Sequence, residues 1–316
     1  MKRASEWIRR TRQIGMALLM VGFMGACTDN TTPPPPRQTL VDVVAANSNF
    51  SILRDAIEYA GLSSDLRLNT VTIFAPTNAA FQAAGFADPA AVKTLATGTV
   101  RSLLLYHMLG FNVPASALVV GKNTAVPTLQ GGDIYVTKTA SAVSVNNARV
   151  TATDMRAENG LIHTIDRVLM PPTLNLLEIA QGDPSLTYLV AAATRAATGN
   201  PAVVSALTST SNAFTVFAPT NEAFIAAGFP SIASIQAAPA ATLAAVILNH
   251  VVADRAFSPT LANGNVTTAG SGQLAVDVSN GVTVKGNGNT MASKVLKADI
   301  LATNGVVHVI DRVLLP

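Results

Sequence analysis

Of the chain's 316 residues 49% are hydrophobic and only 12% charged, so its surface has to be built largely from Ala, Thr, Ser and Asn. Five of the 21 basic side chains and one of the 18 acidic ones lie in residues 1–26, which leaves 16 basic against 17 acidic over the remainder. That near-neutral balance excludes an electrostatic nucleic-acid footprint, which needs clustered Lys and Arg, and the length predicts more than one domain.

Residues 1–13 are basic and 14–26 apolar, ending in Met24-Gly25-Ala26 just before the single cysteine, Cys27. Thirteen apolar residues fall short of the about 20 that cross a bilayer. A basic start, a short apolar run and small residues at its end predict a secretory signal over 1–26. Cys27 at that place resembles the acylated cysteine of a bacterial lipoprotein, so lipidation of Cys27 and anchoring by buried acyl chains are expected. An ordinary signal followed by a stray thiol is the alternative. Thr28 in place of an acidic residue implies the outer membrane of the cell envelope, facing outside or the periplasm. The four prolines at 33–36 make 27–38 a stiff polyproline tether.

From residue 39 the chain runs through two copies of one pattern. In the first copy, 39–171, Ile52, Leu53, Ala56, Ile57 and Ala60 recur at helical spacing, with Asn49 as the expected N-cap. Residues 71–75 predict a strand stopped by Pro76, after which Thr77 caps a short helix. Asp88-Pro89 opens another helix, Asp as cap and Pro at its first position. Val100, Leu103, Leu104 and His107 follow at i, i+3, i+4, i+7, which puts His107 on a buried helix face. After Gly110 the texture turns to short strands at 134–136, 143–145 and around Val150. Asn159-Gly160 marks a turn before a closing strand over 161–169.

In the second copy, 173–316, Leu176, Ile179 and Ala180 open a helix that resumes after Asp183-Pro184 with Leu186, Leu189, Val190 and Ala193. Residues 198–212 are rich in Ser, Thr, Asn and Gly and predict an enlarged loop. Leu243, Val246, Ile247 and His250 repeat the earlier stripe. Residues 276–278 and 282–284 flank Ser279-Asn280-Gly281, a hairpin signal. Helices lead and strands follow in each copy, which argues an α+β fold.

Two motifs fix the repeat. Thr72-Ile73-Phe74-Ala75-Pro76-Thr77-Asn78-Ala79-Ala80-Phe81 returns at 215–224 with changes only at Ile73/Val216 and Ala79/Glu222. His163-Thr164-Ile165-Asp166-Arg167-Val168-Leu169-Met170-Pro171 returns as His308-Val309-Ile310-Asp311-Arg312-Val313-Leu314-Leu315-Pro316. These motifs resemble the two signatures of fasciclin-like (FAS1) domains. Tyr106-His107 resembles the pair between the signatures; the second copy departs from it with Asn249-His250. Asp299-Ile300 resembles the Asp-Ile motif of adhesive members, and the first copy has Asp154-Met155. The resemblance implies two domains, each a β-wedge or sandwich of about seven strands packed with several helices. It also implies an extracellular role in adhesion, with extracellular matrix, glycan or a cell-surface protein as partner. On that basis Tyr106, His107, Asp154, Met155, Asn249, His250, Asp299 and Ile300 are the binding candidates.

His163 with Asp166, joined by His107, and His308 with Asp311 and His250, could form catalytic or metal clusters. The stronger expectation is that they are buried polar residues serving the backbone, with no catalytic residue, no metal site and no cofactor. Thiol partners for zinc, a His-Glu-x-x-His pair and a Gly-x-Ser-x-Gly elbow are all lacking. Gly286-Asn287-Gly288-Asn289-Thr290 lacks the lysine of a phosphate loop and predicts a mobile connection. Asn78 and Asn221 are expected to bond backbone within their own turns. Besides a surface binding module, a carrier of a small apolar ligand, a hydrolase built on the His/Asp pairs and an envelope spacer without specific ligand stand as alternatives.

Overall fold

The computed structural model describes residues 38–209 and 211–316; the expected signal, Cys27 and tether residues 27–37 lie outside the described residues. The first copy has strands β1 (Val71–Pro76), β2 (Met108–Leu109), β3 (Gly121–Pro127), β4 (Asp133–Lys138), β5 (Val143–Val145), β6 (Ala148–Ala157) and β7 (Gly160–Ile165). They form one sheet in the order β2-β1-β7-β6-β5-β4-β3. The second copy has β8 (Phe214–Pro219), β9 (Val251–Val252), β10 (Gly264–Thr267), β11 (Gln273–Asp277), β12 (Thr283–Gly286), β13 (Ser293–Ala302) and β14 (Gly305–Ile310). Its order, β9-β8-β14-β13-β12-β11-β10, is the same. β1 runs parallel to β7 and β8 to β14, whereas the other ladders are antiparallel. Each copy thus combines a seven-stranded sheet with helices, the α+β class expected.

β1 is buried along its length because both of its faces are covered, and all but Thr72 of its side chains are apolar. Ile73 and Ala75 pack into the helical layer with Leu53, Ile57 and Phe81, while Phe74 turns to a second core with Leu109, Ile134 and Ile165. β8 divides its side chains likewise: Val216 and Ala218 meet the helices, and Phe217 meets Leu274 and Ile310. Each fully buried Phe contributes about 1.5–3 kcal/mol by leaving water. The opening motif therefore builds the wall between two cores.

The expected caps form where side-chain oxygens can reach free N–H groups. Thr77 accepts from Ala80 N–H at 3.2 Å and Asp88 from Ala91 N–H at 2.9 Å. Asn49 is not a cap: it lies in the 3-10 turn Ser48–Phe50, and Asn47 caps that turn by accepting Asn49 N–H at 3.0 Å. Residues 198–212 are not all loop, since Ala202–Thr208 is a helix whose Val203 and Ala206 are buried. Its i, i+3 apolar pair outweighs the polar composition around it. The closing strand ends at Ile165 rather than at 169; Asp166 still bonds β6, its N–H donating to Arg149 O at 3.2 Å and its carboxylate accepting Arg149 N–H at 2.7 Å.

Two further expectations are corrected. Asn78 does not serve its own turn: it accepts from Ile52 N–H at 3.0 Å and donates to Ser48 O at 2.9 Å, clasping the start of helix Ser51–Tyr59. Asn221 likewise accepts from Tyr188 N–H at 2.9 Å and donates to Pro184 O at 3.0 Å. The Gly286–Thr290 connection is packed rather than mobile. A Cβ on Gly286 would meet Leu315 O at 2.3 Å, and Asn289 accepts from Leu315 N–H at 2.8 Å and donates to Val313 O at 2.8 Å.

Candidate functional site

In each copy the motif residues converge on one loop that leaves the short strand after the His-bearing helix. Thr72, on β1, donates its hydroxyl to Phe111 O at 2.7 Å and accepts Val113 N–H at 2.9 Å. His163, on β7, donates from Nε2 to Val113 O at 2.8 Å. Asp154, on β6, accepts Ala115 N–H at 2.8 Å. The second copy repeats the grip on 254–258. Thr215 bonds Asp254 O at 2.7 Å and Ala256 N–H at 2.8 Å, and His308 bonds Ala256 O at 2.8 Å. Asp299 accepts Ser258 N–H at 2.6 Å and the Ser258 hydroxyl. A loop held by three side chains from three strands is a rigid platform, the setting in which recognition residues are placed.

Asp154 and Asp299 can reach the loop because β6 and β13 bulge there. Their φ values are 59° and 63°, in the left-handed region that Asp tolerates better than most residues. The ladder register shifts between Ala152 and Met155 and between Lys297 and Ile300. The bulge also turns each Asp N–H to the Nδ1 of the neighbouring histidine, at 3.2 Å in both copies.

The histidines fall into two pairs of opposite tautomer, each set by its partners. His163 and His308 accept at Nδ1 and donate from Nε2, and they lie 5.4 Å from the rings of Phe74 and Phe217. His107 and His250 cap their helices the other way round. They donate from Nδ1 to Leu103 O and Val246 O at 2.8 Å, and accept Leu169 and Leu314 N–H at Nε2, again at 2.8 Å. Burial pushes His107 and His250 down to about 4, against the weaker opposing pull of their helix-carbonyl bonds. Burial also lowers His308, although Asp299 pulls it the other way. Every ring nitrogen is thus occupied by a main-chain group. His163 and Asp166 do not meet as a pair, since Asp166 is exposed and accepts Arg149 N–H at 2.7 Å. Among the described residues no group of three or more His, Cys, Asp or Glu is placed to hold a metal.

Of the remaining binding candidates, Tyr106 and Asn249 are buried at the last helical positions before His107 and His250. Tyr106 donates to Asp133 O at 2.8 Å and accepts from Asn146 at 3.2 Å; burial pushes its phenol up to about 12. Asn249 donates to Leu314 O at 3.1 Å. Met155 and Ile300 are half-buried, packed against the helical cores. Ile300 also lines a cleft of about 310 Å³ together with Leu174 of its own copy, Pro172 between the copies, and Met170 and Asn146 of the first copy. Of the eight candidates, only Met155, Ile300 and the bulge Asp154 reach toward solvent.

The gripped loop of the second copy carries Arg255, a residue that sequence reasoning passed over. Its guanidinium lies over the Tyr135 ring of the first copy at 3.8 Å, and Asn123 of β3 donates to its carbonyl. Only an Arg in a loop that reads as exposed gave any signal in the sequence, because its partners in the first copy are 120 or more positions away.

The Fasciclin domain family matches residues 48–171 and 189–316. The transforming growth factor-beta-induced protein ig-h3 of Sus scrofa is 32% identical over 294 residues, covering 91% of this chain and 39% of that protein. Protein sll1483 of Synechocystis is 35% identical over 147 residues, 42% of this chain and 74% of its own length. The cell surface glycolipoprotein MPB83 of Mycobacterium bovis is 36% identical over 101 residues, 32% of this chain and 44% of its own length. Among solved structures, the FAS1 domain pair of the insect cell adhesion molecule fasciclin I covers 84% of this chain and 97% of its own, at 20% identity and a TM-score of 0.40. The chain therefore spans well under half the length of the ig-h3 protein.

Proposed function

The chain belongs to the Fasciclin domain family, and from that footing we propose that it is a cell-surface binding module that presents two rigid domains to matrix, glycan or neighbouring cells. The observation that carries the reading is the state of the histidines. All eight ring nitrogens are bonded to main chain, so no imidazole is free to move a proton or bind a metal, as a hydrolase built on them would require. The motif chemistry is spent on holding loops 111–115 and 254–258 in place. The carrier reading finds little support in the second copy, where the apolar cavity beside Leu189, Val216 and Val307 holds about 20 Å³, room for one water at most.

The anchor belongs to the same proposal. Lipidation at Cys27 holds the module on the outer membrane. The surface location of the mycobacterial relative, a glycolipoprotein by its name, agrees with this. Among the described residues no helix is long and apolar enough to cross a membrane. Tandem presentation raises the avidity of weak contacts. The test is deletion of residues 173–316 followed by attachment of whole cells to neighbouring cells, matrix and glycan surfaces. Attachment should fall. Unchanged attachment, with the shortened protein at normal surface levels, would favour a spacer without specific ligand. On cell fractionation, Cys27→Ser should release the protein from the membrane fraction or leave an uncleaved precursor; a variant that fractionates and matures like wild type would overturn the anchor.

A further inference from the structure

We propose that the cleft between β3 of the first copy and the gripped loop of the second binds an acidic sugar residue, its carboxylate held by Arg255. The inference rests on the surface-binding reading above and names the ligand chemistry of one site within it. The cleft has a volume of about 200 Å³, the scale of one monosaccharide, and is lined by Lys122 and Asn123 from one copy and Asp254, Arg255, Asn265 and Val266 from the other.

Arg255 is 6% exposed yet has no carboxylate partner among the described residues. One face of its guanidinium is covered by Tyr135, one nitrogen donates to Thr303 O at 3.3 Å, and Nε has no partner among the described residues. The side-chain oxygen of Asn123 beside it is also buried and unpartnered. A buried, uncompensated cation is costly, and such groups are ordinarily paired. The planar fork of arginine suits a carboxylate above other anions of that size. The one acidic side chain in the lining, Asp254, accepts Arg255's own backbone N–H at 2.7 Å. Against it stand Lys122 and Arg255, so the lining carries a net charge of +1, the complement of a single carboxylate. Asp254 and the Asn265 amide offer acceptors and donors to ring hydroxyls, and Val266 an apolar surface to the ring's C–H face. Since both copies line the cleft, neither copy alone forms it.

The test is calorimetric titration of the full-length chain with glucuronate, with glucose as the neutral control. Saturable glucuronate binding is expected, about tenfold or more tighter than glucose, which is the factor that one charge-assisted pair supplies. Arg255→Gln should remove that preference. Lys122→Ala, at an exposed rim position, should weaken glucuronate several-fold without touching the fold, and it decides the matter if Arg255→Gln does not fold. Absence of saturable glucuronate binding, equal affinity for glucose, or full affinity in Lys122→Ala would overturn the proposal. Cell attachment without glucuronate binding overturns this site alone. Glucuronate binding by a protein that does not support attachment upholds the site and overturns the adhesion reading.

Discussion

His107 and His250 each tie a helix C-terminus to the chain just beyond the closing strand, and each does so only while neutral. The ring must accept Leu169 or Leu314 N–H at Nε2, which a protonated imidazole cannot do. With the folded-state pKa at about 4 and the ordinary value at 6.5, the unfolded chain binds the proton more readily. The contribution is therefore complete above pH 6.5 and is lost as pH falls from there to about 4 and below both values. At ~1.4 kcal/mol per unit, each histidine accounts for about 3 kcal/mol over that window. Melting temperature should fall steeply between pH 7 and pH 4. In His107→Gln, whose amide can still donate and accept, the neutral-pH stability should drop while the acid-induced loss becomes smaller. An equal acid loss in wild type and variant would mean that other groups drive it. The burial of these rings was legible from the i, i+7 stripe, whereas their tautomers were not, because Leu169 and Leu314 are more than 60 positions away.

At the scale of the element, the parallel pairs β1/β7 and β8/β14 decide the architecture, and they close on a glycine. A Cβ on Gly160 would stand 1.9 Å from Val71 O, and one on Gly305 2.0 Å from Phe214 O. Neither glycine has a positive φ, so the constraint is the close approach of the first strand's carbonyl, not the backbone region. Gly160→Ala should push β7 off β1 and cost about 3 kcal/mol or more, in the range of overpacked cores. Denaturant unfolding reads that loss, and a change below 1 kcal/mol would show that the strands can part without penalty. In the sequence, Asn159-Gly160 read as a turn signal, which it is, but the reason for glycine there needed the partner strand. Local signals served well elsewhere: Thr77, Asp88 and the 279–281 hairpin carry their chemistry within a few residues. β3 gave none, since Gly121-Lys122-Asn123-Thr124 is a polar edge strand, and the Ala202–Thr208 helix was hidden by the Ser and Thr around it. Asn78 was misread for the opposite reason, its turn being complete without it, so that its amide serves a helix start about 26 positions back.

For the molecule as a whole, none of the four apolar clusters among the described residues draws on both copies. Two belong to the first copy and two to the second. Contacts between the copies among the described residues include Arg255 over Tyr135, Phe257 with its ring centre 6.3 Å from that of Tyr135, and Asn123 on the Arg255 carbonyl. A cation–π contact of this kind is worth about 0.5–2 kcal/mol, far less than a core. The copies should therefore unfold as two units with weak coupling. Phe224, fully buried among the helices of the second copy, provides the test. Phe224→Ala should destabilise that copy by about 3–5 kcal/mol, which lowers its melting temperature by about 10 °C or more. The first copy should lose no more than the joint contributes, so calorimetry should show two separated transitions, the upper one nearly unmoved. Tyr135→Ser should then remove what coupling remains, leaving the first copy's transition the same with or without Phe224→Ala. A single transition that shifts as one in Phe224→Ala would mean that the joint is as strong as a shared core. The stacking of Arg255 on Tyr135 would then have to be counted among the forces that fold the chain, not only among those that orient its two halves.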